Sequence, residues 1–192
     1  LPAGEPIDLL SLVKLPDHAT MGAWRRIDAV IVSEASPSAR FFVPVSISGS
    51  YQIECDFTRR TNDQTVGLLF PVGHNLAGIM ISEDHGKVSG LAMLGGVSIA
   101  KLDAKTGAVV RPGQIKNGER QQLAVTVTLR GQRANIVATL NGRRLLSWSG
   151  LTTLLTPLPV DVLPLTSMVG IVSHESITDI HRLELKLNRA GK

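Results

Sequence analysis

The stretch Tyr51-Gln-Ile-Glu-Cys-Asp-Phe-Thr58 alternates strictly between an apolar set, Tyr51, Ile53, Cys55 and Phe57, and a polar set, Gln52, Glu54, Asp56 and Thr58. Successive side chains of an extended strand point to opposite faces, so a period of two is what a strand with one buried face requires, and no helix satisfies it. Residues 123–129 repeat the pattern, with Leu123, Val125, Val127 and Leu129 on one side. These eight apolar residues are the predicted core, because a slip of one residue would invert them all. Arg130-Gly131-Gln132-Arg133 then turns the chain into residues 134–140, and Asn141-Gly142 turns it again into residues 143–149. Asn-Gly suits a tight hairpin because both central residues of a type I′ turn take positive φ. Three consecutive antiparallel strands are therefore predicted.

Further short strands read at residues 29–32, 40–47, 66–70, 77–82, 88–94, 169–173 and 177–187, while residues 7–13 and the turn near 151–155 look helical. About ten strands at roughly 8 to 12 residue spacing argue an all-β fold, a two-sheet antiparallel jelly-roll sandwich. The 18 glycines and 10 prolines agree, since frequent punctuation favours many short elements. The Pro-rich stretch 156–164 reads as a crossover within one unit, so residues 1–192 are expected to form one β-sandwich domain, with its core over about 20–188 and a short N-terminal extension. The chain opens Leu1-Pro2-Ala3-Gly4 without an initiating Met, as a mature, trimmed or internal fragment would.

Composition narrows the functional classes. Cys55 is the only cysteine, which excludes an internal disulfide and a cysteine zinc site, and its place on the apolar side of a strand predicts an unreactive thiol. The net charge is +4, and the pairs Arg25/Arg26, Arg59/Arg60 and Arg143/Arg144 are dispersed, so nucleic acid is not an expected partner. No stretch approaches the roughly 20 apolar residues of a membrane span, and no membrane insertion is expected. There is no Gly-x-Ser-x-Gly elbow and no phosphate-binding Gly-x-x-x-x-Gly-Lys-Ser/Thr loop.

Five segments in order carry a resemblance: the Tyr51-x-Ile53-x-x-x-Phe57 strand; Val66-Gly-Leu-Leu-Phe-Pro-Val-Gly73; Ile136-Val-Ala-Thr-Leu-Asn-Gly-Arg143 with Trp148; Val169-Gly-Ile-Val-Ser-His174; and Ile180-His-Arg-Leu-Glu-Leu185. Over about residues 20–188 the chain resembles the concanavalin A-like lectin/glucanase superfamily. Within it, the chain looks most like laminin-G-like modules and the 3-keto-disaccharide hydrolase domain abundant in planctomycete-type bacteria. The resemblance implies a concanavalin A-like sandwich acting as a glycan-recognising or interaction module, without turnover, of a secreted, periplasmic or envelope-associated bacterial protein. A sugar-processing hydrolase of the 3-keto-disaccharide hydrolase or glycosidase type, and a structural module of a cell-surface protein, stand as alternatives.

Glu54 and Asp56 project from one strand face, roughly 7 Å apart at their Cα atoms. Family-16 glucanases of the superfamily follow such a Glu-x-Asp run with a second Glu, and Thr58 stands in that place here. A retaining glycosidase needs a second carboxyl as acid/base, so no catalytic residue is assigned and the face is read as hydrogen-bonding. The candidate ligand-binding residues are Gln52, Glu54, Asp56, Thr58 and Arg59, the last expected to pair with a carboxylate, with Trp24 as a stacking platform ahead of Trp148, Tyr51 and Phe42. His18, His74, His85, His174 and His181 show no metal spacing, and no metal ligand is assigned. No cofactor is expected apart from calcium as an option at the Asn62-Asp63 and Glu83-Asp84 turns. His174-Glu175 is a further polar pair, in the turn before the last strand.

Overall fold

The structure, a computed structural model, describes residues 4–156 and 167–188. Its strands are β1 (Ile7–Asp8), β2 (Ala19–Met21), β3 (Trp24–Ile27), β4 (Val30–Ser33), β5 (Ala39–Phe42), β6 (Tyr51–Arg59), β7 (Val66–Val72), β8 (Asn75–Ser82), β9 (Val88–Leu91), β10 (Met93–Leu94), β11 (Val97–Ser98), β12 (Val109–Val110), β13 (Arg120–Arg130), β14 (Arg133–Leu140), β15 (Arg143–Leu151), β16 (Gly170–Ser173) and β17 (Thr178–Leu187). One sheet runs β15-β14-β13-β6-β17-β4-β3, with β1 added on β17. The other runs β12-β9-β8-β7-β16-β5-β2, and β10-β11 is a separate small hairpin. All pairings are antiparallel, as in a jelly-roll sandwich.

The alternating strands lie where their period puts them. Tyr51, Ile53, Cys55 and Phe57 are at most 2% exposed, as are Leu123, Val125 and Val127, and Leu129 is half-buried beside the hairpin turn. In the second sheet Leu68 lies opposite both Ile79 and Ile171, and all three are buried. Tyr51 spans the two layers, donating its hydroxyl to the Pro71 carbonyl. Asn141 (φ 52°) and Gly142 (φ 74°) take the two positive φ values of the predicted tight turn. Thr126 and Gln52, on the opposite parity, face out of the sandwich.

The expected boundaries shift where the strands are short. Residues 7–13 are β1 followed by a 3-10 turn, Leu10–Leu12, whose Leu10 N–H is taken by Asp8 Oδ1 at 2.9 Å, and Thr152–Leu154 is likewise a 3-10 turn. Residues 40–47 are a strand only to Phe42, beyond which Val43 and Ile47 donate to the Val169 and Ser167 carbonyls. The predicted strand 88–94 breaks at Ala92, which donates to Gly78 O. Residues 1–3, and 157–164 of the predicted crossover, lie outside the described residues. Among the described residues no helix is long and apolar enough to cross a membrane.

Candidate functional site

β6 is central in its sheet, between β13 and β17, so its outward residues sit on a rigid floor. Three ladder rows cross it. Lys186, Gln52 and Thr126 lie abreast; Glu184, Glu54 and Ala124 form the next row; Arg182, Asp56 and Gln122 form the third. Glu54 and Glu184 face each other directly, a like-charge pair that destabilises a ladder unless a cation stands between them.

Arg182 is that cation. Its Nη2 donates to Glu54 Oε2 at 2.7 Å and to Asp56 Oδ1 at 3.1 Å, and its Nη1 donates to Glu184 Oε2 at 3.3 Å. Arg120, from β13, donates to the second Asp56 oxygen at 2.9 Å, and Gln52 Nε2 donates to Glu54 Oε1 at 3.1 Å. Burial works against the Arg182 charge, but the Asp56 hydrogen bond and the attraction of Asp56, Glu184 and Glu54 outweigh it and hold the guanidinium above its ordinary range. A bulge in β17 between Ile180 and Arg182 sets His181 out of register. Its Nε2 lies 2.9 Å from Thr58 Oγ1, and burial, followed by the Arg120 charge, keeps the imidazole below its usual pKa despite Asp179 and Asp56. Beside this network, Pro6, Gln52, Glu54, Arg182, Glu184 and Lys186 line a shallow depression of about 390 Å³.

The structure thus brings Gln52, Glu54, Asp56 and Thr58 together and leaves Arg59 and Trp24 elsewhere. Arg59 has the parity of Tyr51 and Phe57, and its side chain enters the protein, where it is 1% exposed. There it donates to Asn117 Oδ1, Gln64 O, Ser82 Oγ and Ile115 O at 2.6 to 2.9 Å. The carboxylate partners on the face are Arg182 and Arg120 instead. Trp24 is 7% exposed and meets Phe41 edge-on at 4.9 Å, so its ring presents no platform. Trp148, Tyr51 and Phe42 are buried as well, as are Phe41, Phe57 and Phe70, which accounts for all seven aromatics. Any ligand on this face is held by hydrogen bonds and charge, without ring stacking.

The other polar candidates cluster at the end of the sandwich where β6, β8 and β16 finish. Asp63 Oδ1 is 2.8 Å from His85 Nδ1, a hydrogen bond that holds the Asp63 carboxyl below its usual range. Glu83 accepts from Thr65, Asp84 pairs with Lys87, and His174 Nδ1 accepts the Ser38 N–H at 3.2 Å. Calcium takes six to eight oxygen ligands, often from several carboxylates. Among the described residues no three His, Cys, Asp or Glu side chains stand where they could hold one ion.

No family model matches the chain, and no curated protein does. Solved structures do. The VIP36 exoplasmic/lumenal domain in its Ca2+-bound form superimposes with a TM-score of 0.59 at 10% identity, over 97% of this chain and 90% of that one. Lectin UEA-II, solved with galactose, gives 0.57 at 9% identity, over 97% and 100%. The carbohydrate binding module CBM66 from Bacillus subtilis gives 0.55 at 12% identity, over 88% and 93%. At such identities the likeness establishes a shared fold, the concanavalin A-like sandwich, and leaves function to the site.

Proposed function

With the lectin sandwich as premise, we propose that this chain is a glycan-binding module that uses the outward face of β6 and β17, holds its ligand by hydrogen bonds and releases it unchanged. The observation that carries this reading is the network in which Gln52, Glu54, Asp56, Arg182 and Glu184 fix one another's positions on central strands beside an open depression. Sugar hydroxyls both donate and accept, and a preorganised set of carboxylate oxygens and guanidinium N–H groups offers both without ordering cost at binding. Each of Glu54 and Asp56 already holds a guanidinium, and the position of a second glutamate is Thr58, hydrogen-bonded to His181. This supports binding over glycoside cleavage. The neighbours' carbohydrate names point the same way.

A glycan array probed with and without EDTA tests the proposal. Binding that survives the chelator is expected, since the carboxylates of the proposed face are held by Arg182 and Arg120. Glu54→Gln keeps the shape and removes one charged acceptor from a half-buried site, so it should weaken the strongest glycan by about five- to tenfold. An array without hits, or a glycan recovered cleaved, overturns the reading.

A further inference from the structure

The same sheet face carries a second opposed pair of like charges, and this one has no counter-ion among the described residues. Arg130 and Arg133 are direct cross-strand partners at the β13–β14 hairpin, both exposed, and neither forms an ion pair or side-chain hydrogen bond among the described residues. Two residues further in, Thr128, Asn135 and Ser149 lie abreast on the same outward face, and with the two arginines they line a depression of about 420 Å³. At the Glu54–Glu184 pair the protein supplies Arg182 between the like charges; here no described residue does, and opposed like charges repel.

Arg144 extends the pattern. It lies opposite Thr139 on β15, on the same face and likewise without an ionic partner among the described residues, six residues along β14 from Arg133 and so about 20 Å away. Between these cationic positions runs an uncharged strip that includes Asn135, Ser149, Val137 and Ser147. The carboxylates of Glu54, Asp56, Asp179 and Glu184 are all committed to Arg182, Arg120 or Arg60, which leaves the β13–β15 half of the face cationic.

Resting on the glycan-binding reading above, we propose that Arg130 and Arg133, with Thr128, Asn135 and Ser149, form an anion subsite, and that the preferred ligand is an acidic polysaccharide bearing sulfate ester or carboxylate groups. Guanidinium forks match either group bidentately, and the neighbouring hydroxyl and amide groups can hold the sugar between charges. The separation of the subsite from Arg144 favours a polymer with repeated anionic groups over a small anion.

Binding of the full chain to dextran sulfate, to unsulfated chondroitin and to neutral dextran, measured by titration calorimetry at two salt concentrations, tests the proposal. The expected result is binding to one or both acidic polymers, weaker at higher salt, and about tenfold weaker in R130Q/R133Q, with thermal stability equal to or slightly above that of the wild type. Sulfate and carboxylate sources separate according to which polymer binds. Equal affinity of the wild type and R130Q/R133Q for acidic polymers overturns the subsite. If, in addition, an array glycan still binds and responds to Glu54→Gln, the broader glycan reading survives; if no glycan binds in either assay, that reading fails as well. Tighter binding to single-stranded DNA than to either polysaccharide, lost in the same variant, overturns the assignment of the ligand class.

Discussion

Arg59→Met is the substitution that most sharply separates a ligand-binding arginine from a structural one. The guanidinium donates four hydrogen bonds that tie the end of β6 to the turn at Gln64, to Ser82 at the end of β8 and to the loop carrying Ile115 and Asn117. Burial pulls its pKa below the ordinary arginine value, and the Asp63 charge only partly opposes this. At about 1.5 kcal/mol for each bond from a charged donor, the four sum to about 6 kcal/mol. Removing the cation also removes a desolvation cost of several kcal/mol, about half of that sum. Methionine fills a similar volume, so the net loss should be about 3 kcal/mol, which for a chain of this size lowers Tm by roughly 6–12 °C. Urea and thermal unfolding followed by circular dichroism measure it. Glycan affinity at a temperature where the variant is folded should be unchanged, because Arg59 faces away from the outward surface. A Tm within 2 °C of the wild type, or a loss of glycan binding by a fully folded variant, would refute this account of Arg59.

Three further outcomes are expected. Burial, with a smaller contribution from Asp56 that outweighs Arg182, pushes the Cys55 thiol up to about 12, so a thiol reagent at pH 8 should label the native protein only as fast as it unfolds; a rapid phase contradicts this. Gly90→Ala should destabilise by roughly 2–3 kcal/mol in urea titrations, since a Cβ there would lie 2.2 Å from the Ala108 carbonyl oxygen and 2.7 Å from Val109 Cα, forcing β9 and β12 apart. The His181 imidazole has a pKa in the folded state below the 6.5 of the free side chain, so the unfolded state binds the proton more readily. Stability should be complete above pH 6.5 and fall as the pH drops from there toward the folded-state value. A comparison of Tm across that window should show a shallower fall in His181→Gln, and identical slopes would contradict the assignment.

The legible parts of the fold were those governed by short-range rules. Period two placed Tyr51 to Phe57 and Leu123 to Val127 inward because one face of each strand is buried and a one-residue slip is costly, and the Asn141-Gly142 turn followed from its φ requirement. Strands of two to four residues, such as β1, β10 and β12, carry no such periodicity, because tertiary pairing alone extends them. On the candidate site, the outward quartet of β6 was readable and its partners were not. Arg182 lies 126 residues from Asp56, and nothing local announces that β17 pairs with β6. The parity of Glu184 and Lys186, carried back one step, would have pointed Arg182 outward. Arg59 shares the inward parity of Phe57, and nothing local in the sequence shows that Asn117, Gln64, Ser82 and Ile115 supply its acceptors, while Trp24 packs edge-on against Phe41, a contact 17 residues away in sequence.

On the proposed reading the glycan sits on the outward face of β6 and β17. Amide chemical-shift mapping of the isotope-labelled protein, titrated with the glycan that binds most strongly on the array, tests it residue by residue. The largest changes are expected at Gln52, Glu54, Arg182, Glu184 and Lys186, spreading toward Thr128 and Arg133 for an acidic ligand and absent from the turns at Asp63 and Asp84. Changes confined to those turns or to the β7–β8–β9 sheet, with the β6 and β17 amides unmoved, would contradict it.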